Sequence, residues 1–398
     1  MNINVTHNMF NFDLDDLVLI GKRANNPKRN FLFISKLLGK HLEVNPDVCK
    51  AAGFLLSSLA YGNSNQGKFV EYLKNQNFDI KPYFIPEETD KKTLFIGFAE
   101  TATGLGMSAA SAVKGSTFYT TTRETVDMKN LLTFEEEHSH ATTHKMYTAQ
   151  PIDFNSFDEL VLVDDEITTG NSMLNLIREI HKAYGVKTYK ILTILDWRNP
   201  EHWENFNKVR EELGVDISVY AILGGNISTS DTSVYTGDKE SEILSFTNPK
   251  RWELQKFTRV FCMSNSKMVG FIKDTGRFGI QDDSYEYIET MAQKIAERIN
   301  LNIGNNRKIL VVGHGENIYI PSRIASYLMG DVKFKTTTRS PIYVDGEIIK
   351  SRHYFMDKDV KYYFYNAKEA EKEYDCILFL NEFDLSVALT PNTSVIKL

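Results

Sequence analysis

Two stretches of this chain align with each other without a gap. KTLFIGFAETATGLGMSAASAVKGSTFYTTTRETV (residues 92–126) matches KILVVGHGENIYIPSRIASYLMGDVKFKTTTRSPI (residues 308–342) at an offset of 216. Gly97 and Glu100 pair with Gly313 and Glu316, and Phe118 pairs with Phe334. Thr120, Thr121, Thr122 and Arg123 pair with Thr336, Thr337, Thr338 and Arg339. With one inserted residue, FDELVLVDDEITT from Phe157 then lines up with YDCILFLNEFDLS from Tyr374. Any two β-loop-α-β units share an apolar texture. A shared Thr-Thr-Thr-Arg at the same distance from a shared Gly-x-x-Glu goes beyond texture and reads as an internal duplication.

The rest of the chain supports two such units. At 398 residues, two or three domains are expected. A hydrophobic content of 42% with 25% charged residues is globular and excludes a disordered chain. The net charge of −6 argues against a chain-wide nucleic-acid surface. Cys49, Cys262 and Cys376 form no disulfide framework and no Cys-based zinc site, which fits a reducing cytoplasm. The N-terminus lacks the pattern of a signal peptide, and no apolar run has the length of a membrane helix. A cytoplasmic location is therefore expected.

Short β-branched and aromatic runs at 94–98, 117–121, 159–163, 190–195 and 217–222 alternate with helical patterns at 105–113, 173–183 and 202–213. That alternation predicts an α/β fold, a parallel sheet with helices on both faces. Residues 224–246 are rich in Gly, Ser, Thr and Asn and read as a loop or linker. A helix over 283–300 and a strand at 308–312 begin the second alternation. The expected domains are 1–225, a linker region 226–290, and a C-terminal α/β domain 291–398.

The most informative segment is ELVLVDDEITTGNS, residues 159–172. A strand ends in Asp164 and Asp165, and a polar loop opens a helix at Met173. Helix N-terminal amides attract a phosphate. Gly170 lets the backbone approach it, and Thr168, Thr169 and Ser172 supply hydroxyl donors. The two carboxylates suit vicinal ribose hydroxyls and Mg²⁺.

Residues 161–170 resemble the phosphoribosyl-pyrophosphate (PRPP) motif of type I phosphoribosyltransferases: an apolar strand, two acidic residues, two variable positions and Thr-Gly. The resemblance implies that Asp164, Asp165, Glu166, Ile167, Thr168, Thr169, Gly170, Asn171 and Ser172 bind PRPP, with Mg²⁺ as cofactor held by Asp164 and Asp165. It implies a pyrophosphate loop after the first core strand, here Ala99, Glu100, Thr101, Ala102 and Thr103. Glu100 is unlike a plain anion nest and points to a different task, through Mg²⁺ or a substrate amine. Arg123 stands where relatives contact pyrophosphate. A lid is expected over 131–147, with His144 and Lys145 on leaving pyrophosphate. Its Glu135, Glu136, Glu137, His138, His140 and His144 also admit a metal site. Asp164, Asp165, Lys145, His144 and Arg123 are the expected catalytic set. Asp196 and Trp197 are candidates for the base, with a core Trp as the equal alternative.

The basic stretch 21–44 holds Lys22, Arg23, Lys28, Arg29, Lys36, Lys40 and His41. It resembles the N-terminal part of an orotate-phosphoribosyltransferase-like bacterial subfamily encoded near tellurite-resistance and stress genes. A C-terminal domain of that subfamily is named for a Thr-Arg-Ser-Pro motif, which stands here as Thr338, Arg339, Ser340 and Pro341. Residues 273–279 place two glycines around Arg277, as a turn presenting a cation or as a helix cap.

The second copy departs from the motif. Asn381 and Glu382 replace the Asp pair, and Asp384, Leu385, Ser386, Val387 and Ala388 replace the Thr-Thr-Gly-Asn-Ser cradle. Glu316, Arg339 and Ser340 are candidates for a ligand of that domain, or for completing the first site. The resemblance implies a transferase that moves ribose 5-phosphate between PRPP and a nucleobase-like acceptor in either direction. The alternative is a non-catalytic PRPP or nucleotide sensor. The expected partners are PRPP or pyrophosphate and a nucleobase or nucleotide, with a homodimer as a candidate assembly and neither membrane nor nucleic acid.

Overall fold

A computed structural model describes residues 2–398 apart from 25, 27, 28, 136–142, 230–232, 237–239, 243–249, 255, 265, 305, 306 and 386. Six strands form the first sheet in the order Asn2–Asn8, Asp216–Ser228, Thr188–Asp196, Glu159–Ile167, Thr93–Gly97, Thr117–Thr120. All neighbours are parallel except the antiparallel edge strand Asn2–Asn8.

The central strands are apolar throughout because both faces are covered. Side chains alternate between the faces with period two. Phe95, Val161 and Val163 point into the core shared with helix Val48–Tyr61. Leu94, Ile96, Leu160 and Leu162 point to the opposite side, against helices Asn171–Tyr184 and Pro200–Leu213. Helices Val48–Tyr61 and Ala102–Ala110 cross at Gly53, where an added Cβ would lie 2.4 Å from the Ser108 Cβ.

The second sheet has the order Lys250–Glu253, Thr393–Lys397, Cys376–Asn381, Lys308–Gly313, Asp331–Thr336, all parallel. From the Thr393–Lys397 strand onward it repeats the first sheet's order from Thr188–Asp196. The repeat extends to hydrogen bonds. The Lys92 amide donates to Asp158 Oδ2 at 2.8 Å, and the Lys308 amide to Asp375 Oδ2 at 2.9 Å. The C-terminal α/β unit is therefore an internal duplicate.

The interval 226–290 is not a plain connector. It contributes strand Lys250–Glu253 to the second sheet, a hairpin of Arg259–Ser264 with Lys267–Ile272, and the start of helix Asp282–Ile303. Local Gly, Ser and Thr content could not reveal this, because the parallel partner of Lys250–Glu253 lies at Thr393–Lys397, far along the chain. Among the described residues, no helix is long and apolar enough to cross a membrane.

The halves share one core, which includes Val48, Phe54 and Leu105 from the first and Ile309, Ile320 and Leu378 from the second. A buried ion network ties them. The Arg323 guanidinium, 1% exposed, lies 2.6 Å from Asp47 and 2.7 Å from Glu289. Lys50 reaches Glu289 at 2.7 Å, and the Tyr327 hydroxyl donates to it at 2.7 Å. Burial works against the Glu289 charge, but Arg323 and Lys50 outweigh it and hold the carboxyl well below the usual range. A carboxyl lowered in the folded state stabilises fully above its ordinary value near 4.5 and loses that contribution as pH falls below it. Glu289→Gln is therefore expected to lower Tm at pH 7. The gap to wild type should hold from pH 7 to about 5 and shrink as pH falls further to about 3.5, followed by thermal unfolding.

Candidate active site

The Glu159–Ile167 strand runs past both aspartates, because its parallel pairing with Thr188–Asp196 continues to Ile167 opposite Asp196. Asp164 and Asp165 are half-buried, and Ile167 returns to the core at 1% exposure. The chain then turns through 168–170 into helix Asn171–Tyr184, whose N-cap is Gly170. Gly170 has φ +78°, and an added Cβ would lie 2.5 Å from the Phe206 ring. Phe206 belongs to helix Pro200–Leu213, which starts with a capping box between Asn199 and His202 and proline in its first turn. The loop is thus seated on a well-capped helix.

A cavity of about 220 Å³ opens over this loop. Asp164 to Met173 form one wall, and Phe98, Ala99 and Thr101 of the loop after Thr93–Gly97 form another. Arg123 and His144 close a third side. Arg23 and Arg29, from the N-terminal basic stretch, complete it. Three guanidiniums and three carboxylates (Asp164, Asp165 and Glu166) face one space, which suits a polyanion that brings a divalent cation.

The Arg29 Nη2 lies 2.6 Å from Glu166 Oε1, and its guanidinium also sits over the rings of Phe31 and Phe33. Burial pushes the Glu166 carboxyl up, and Arg29 offsets this only in part. Lys40 donates from Nζ to Thr101 Oγ1 at 2.5 Å, bracing the second wall. His144 is 2% exposed, with Nδ1 3.0 Å from the Thr121 hydroxyl. It projects from the hairpin of Asn130–Glu135 with Thr143–Tyr147.

Other expected residues lie apart from the cavity. The Ala99–Glu100 peptide is cis. Glu100 is 4% exposed, and its carboxylate faces the C-terminal half, accepting from the Arg339 amide at 3.5 Å. Ala102 and Thr103 are fully buried, and Thr103 lies 3.1 Å from the Thr120 hydroxyl. Lys145 donates to Thr125 Oγ1 at 2.8 Å. Asp196 takes both the Nε and Nη2 of Arg198, at 2.9 and 2.7 Å. Trp197 is 5% exposed and stacks on Phe33 at 5.3 Å, in the core rather than on the cavity wall. Glu136, Glu137, His138 and His140 lie outside the described residues, as do Lys28 and Ser386; nothing is described of the Glu135 side chain.

In the C-terminal half, Glu316 accepts from Thr122 Oγ1 at 2.6 Å and from the Arg123 amide at 3.0 Å. Arg339 donates from Nη2 to the Tyr362 hydroxyl at 2.7 Å, and the Ser340 amide donates to Thr338 Oγ1 at 3.1 Å. All three proposed ligand residues of that half have partners within the chain.

Residues 17–226 match the family model described as phosphoribosyl transferase. That match spans more than half of the chain, and the chain belongs to this family. Residues 274–394 match the TRSP domain described as C-terminal to that transferase domain. No curated protein matches the chain. Among solved structures, adenine phosphoribosyl transferase from Trypanosoma brucei is 14% identical, covering 52% of this chain and 76% of that one, at TM-score 0.32. The Rhodothermus marinus adenine phosphoribosyltransferase is 15% identical over 53% and 96%, at TM-score 0.30. The Leishmania donovani one is 13% identical over 59% and 85%, at TM-score 0.32. At such distances these likenesses add nothing about substrate.

Replacing Gly170 with Ala adds a Cβ at positive φ against an aromatic ring. The variant is expected to lose about 1–2 kcal/mol or more, read from urea unfolding.

Proposed function

We propose that the first half binds PRPP with Mg²⁺ and transfers ribose 5-phosphate between pyrophosphate and a ring nitrogen of a nucleobase-like acceptor. The observation that carries this reading is the single cavity onto which Asp164, Asp165, the 168–172 loop, Thr101 and Arg123 converge.

The 5-phosphate would take the helix N-terminus and the hydroxyls of Thr168, Thr169 and Ser172. Asp164 and Asp165 would accept from the vicinal ribose hydroxyls. Arg123 and the loop containing Ala99 and Thr101 would face pyrophosphate. Arg23 and Arg29 add positive charge to the same cavity. The C1–O bond to pyrophosphate breaks as the C1–N bond forms, and pyrophosphate leaves with the electron pair. Positive charge builds on the ribosyl group, so the protein acts by positioning and by fixed charges rather than by covalent attack.

Oxygen donors at Asp164 and Asp165 fit Mg²⁺, which is commonly held by one or two carboxylates plus substrate phosphates. Among the described residues, no group of three or more His, Cys, Asp or Glu side chains could hold a metal on its own. The ion, when bound, neutralises pyrophosphate charge.

Asp164→Asn combined with Thr169→Ala is expected to weaken PRPP binding at least about a hundredfold, because each change removes contacts to a charged or polyhydroxyl ligand. Calorimetric titration of PRPP with Mg²⁺ checks this, and unchanged affinity would sink the assignment. Turnover is read from pyrophosphate release with a panel of bases, and in reverse from nucleotides plus pyrophosphate. PRPP binding without turnover across the panel would favour the sensor.

A further inference from the structure

The hydrogen bonds between the two halves are reciprocal. The Phe118 amide and carbonyl pair with Ile280 at 2.9 Å each, and the Thr120 amide donates to the Gly276 carbonyl at 2.9 Å. At the equivalent positions of the second half, the Phe334 amide and carbonyl pair with Val44 at 2.8 and 2.9 Å. The Thr336 amide donates to the Gly39 carbonyl at 2.7 Å. Both glycines have positive φ, +69° and +84°, and an added Cβ would lie 3.0 Å from the Phe334 ring and 2.5 Å from the Phe118 ring respectively.

The relation continues outward. The Asp127 amide donates to the Met263 carbonyl at 2.8 Å, and the Tyr343 amide donates to Lys22 at 2.9 Å. Met263 sits in the hairpin of Arg259–Ser264 with Lys267–Ile272 and Lys22 in that of Val18–Lys22 with Phe31–Ser35, and each hairpin precedes a strap, residues 273–280 and 36–44. Each half thus lends its hairpin and strap to the outer strand of the other. Such i-to-j and j-to-i contact is the mark of a two-fold interface with exchanged elements, here within one chain. The straps also align in sequence. Lys36-x-x-Gly39-Lys40 matches Lys273-x-x-Gly276-Arg277, so the second unit begins with the hairpin at Arg259.

The two sites have diverged in content. Lys40 braces Thr101 at the open cavity. Its counterpart Arg277, 2% exposed, is spent on Glu382, at 3.2 and 3.3 Å, in the position of the acidic pair. The counterpart of the cavity hairpin, Arg352–Asp357 with Val360–Tyr365, turns Phe355 and Tyr362 onto His314. His314 is held by Thr337 at 2.8 Å and Asp357 at 3.2 Å. Protein side chains fill the second site.

The carboxylates of the two Gly-x-x-Glu loops also cross between halves, unequally. Glu316 takes two short bonds from Thr122 and Arg123, whereas Glu100 takes one long bond from Arg339. We propose that the chain is a fused pair of phosphoribosyltransferase-like units with exchanged straps. In it the filled C-terminal unit serves the N-terminal cavity through Glu316, a positioning residue for the turn that carries Arg123. The binding part of this inference rests on the PRPP reading above; the positioning part does not.

The test uses the full chain with Glu316→Ala and Glu316→Gln. The first readout is hydrogen–deuterium exchange of the peptide covering 118–126. The second is PRPP affinity with Mg²⁺. Glu316→Ala is expected to speed exchange in that peptide at least tenfold, leave peptides outside it, its own loop and the Arg277 strap unchanged, and raise the PRPP Kd at least tenfold. Glu316→Gln keeps the shape and one acceptor oxygen, and should recover part of both effects, which general loosening would not. If the alanine variant fails to fold, the glutamine variant decides by the same two readouts. Unchanged exchange in the 118–126 peptide overturns the inference. So does faster exchange with an unchanged Kd. Absence of PRPP binding by the wild type would defeat the functional proposal and its dependent half, while exchange still decides whether Glu316 holds the turn.

Discussion

A carboxylate of one half is buried beneath a turn of the other, and much of the molecule follows from that contact. Glu316 is 6% exposed and receives the Thr122 hydroxyl and the Arg123 amide. Arg277 stands 3.8 Å from it and 3.9 Å from Glu124, and also pairs with Glu382. One guanidinium among three carboxylates, two of them buried, is strongly held, because the buried charges depend on their partners for solvation. The three carboxylates come from both halves, and Arg277 from the strap of the second. Neither half can shift without exposing an uncompensated charge.

That constraint explains how a duplicated framework holds two different sites. The strands, the Thr-Thr-Thr-Arg turns and the Gly-x-x-Glu loops serve both the sheets and the joint between halves. Change there would disturb packing on both sides. The loop after the acidic strand has no such double duty. In the first half it keeps Gly170 at φ +78° and a helix behind it. In the second, no glycine stands at that place, and the aromatic hairpin packs on His314. Packing Phe355 and Tyr362 of that hairpin into the cluster with strand residue Phe379 removes apolar surface from water and stabilises the unit.

Much of the candidate site was legible in residues close together in sequence. Residues 164–172 lie on one strand-loop-helix unit, where local spacing determines shape. Arg123 and His144 also reached the cavity. Several other expected residues have partners within the chain and lie away from the cavity. For Trp197 the sequence leaves a base contact and a core position equally open, and it stacks on Phe33 in the core. Asp196 looked like a hydrogen-bond acceptor for a ligand, yet Arg198 occupies it. Glu100 was recognised as odd in an anion loop, but its partner lies 239 residues away. The basic stretch 21–44 was visible, but the placement of Arg29 against Glu166, 137 residues on, was not.

By itself the sequence determined the alternation of strand and helix, the duplication and the position of the phosphate-type loop. Each of these rests on short-range periodicity or on identity between two segments, both of which survive in a linear string. Only the tertiary structure decided that the halves exchange their straps, that Glu316 holds the turn of Thr122 and Arg123 while Lys40 meets Thr101, and that Phe355 and Tyr362 pack on His314 in the second half. Those outcomes depend on which buried charge meets which partner, and desolvation sets that choice only once the chain has closed on itself.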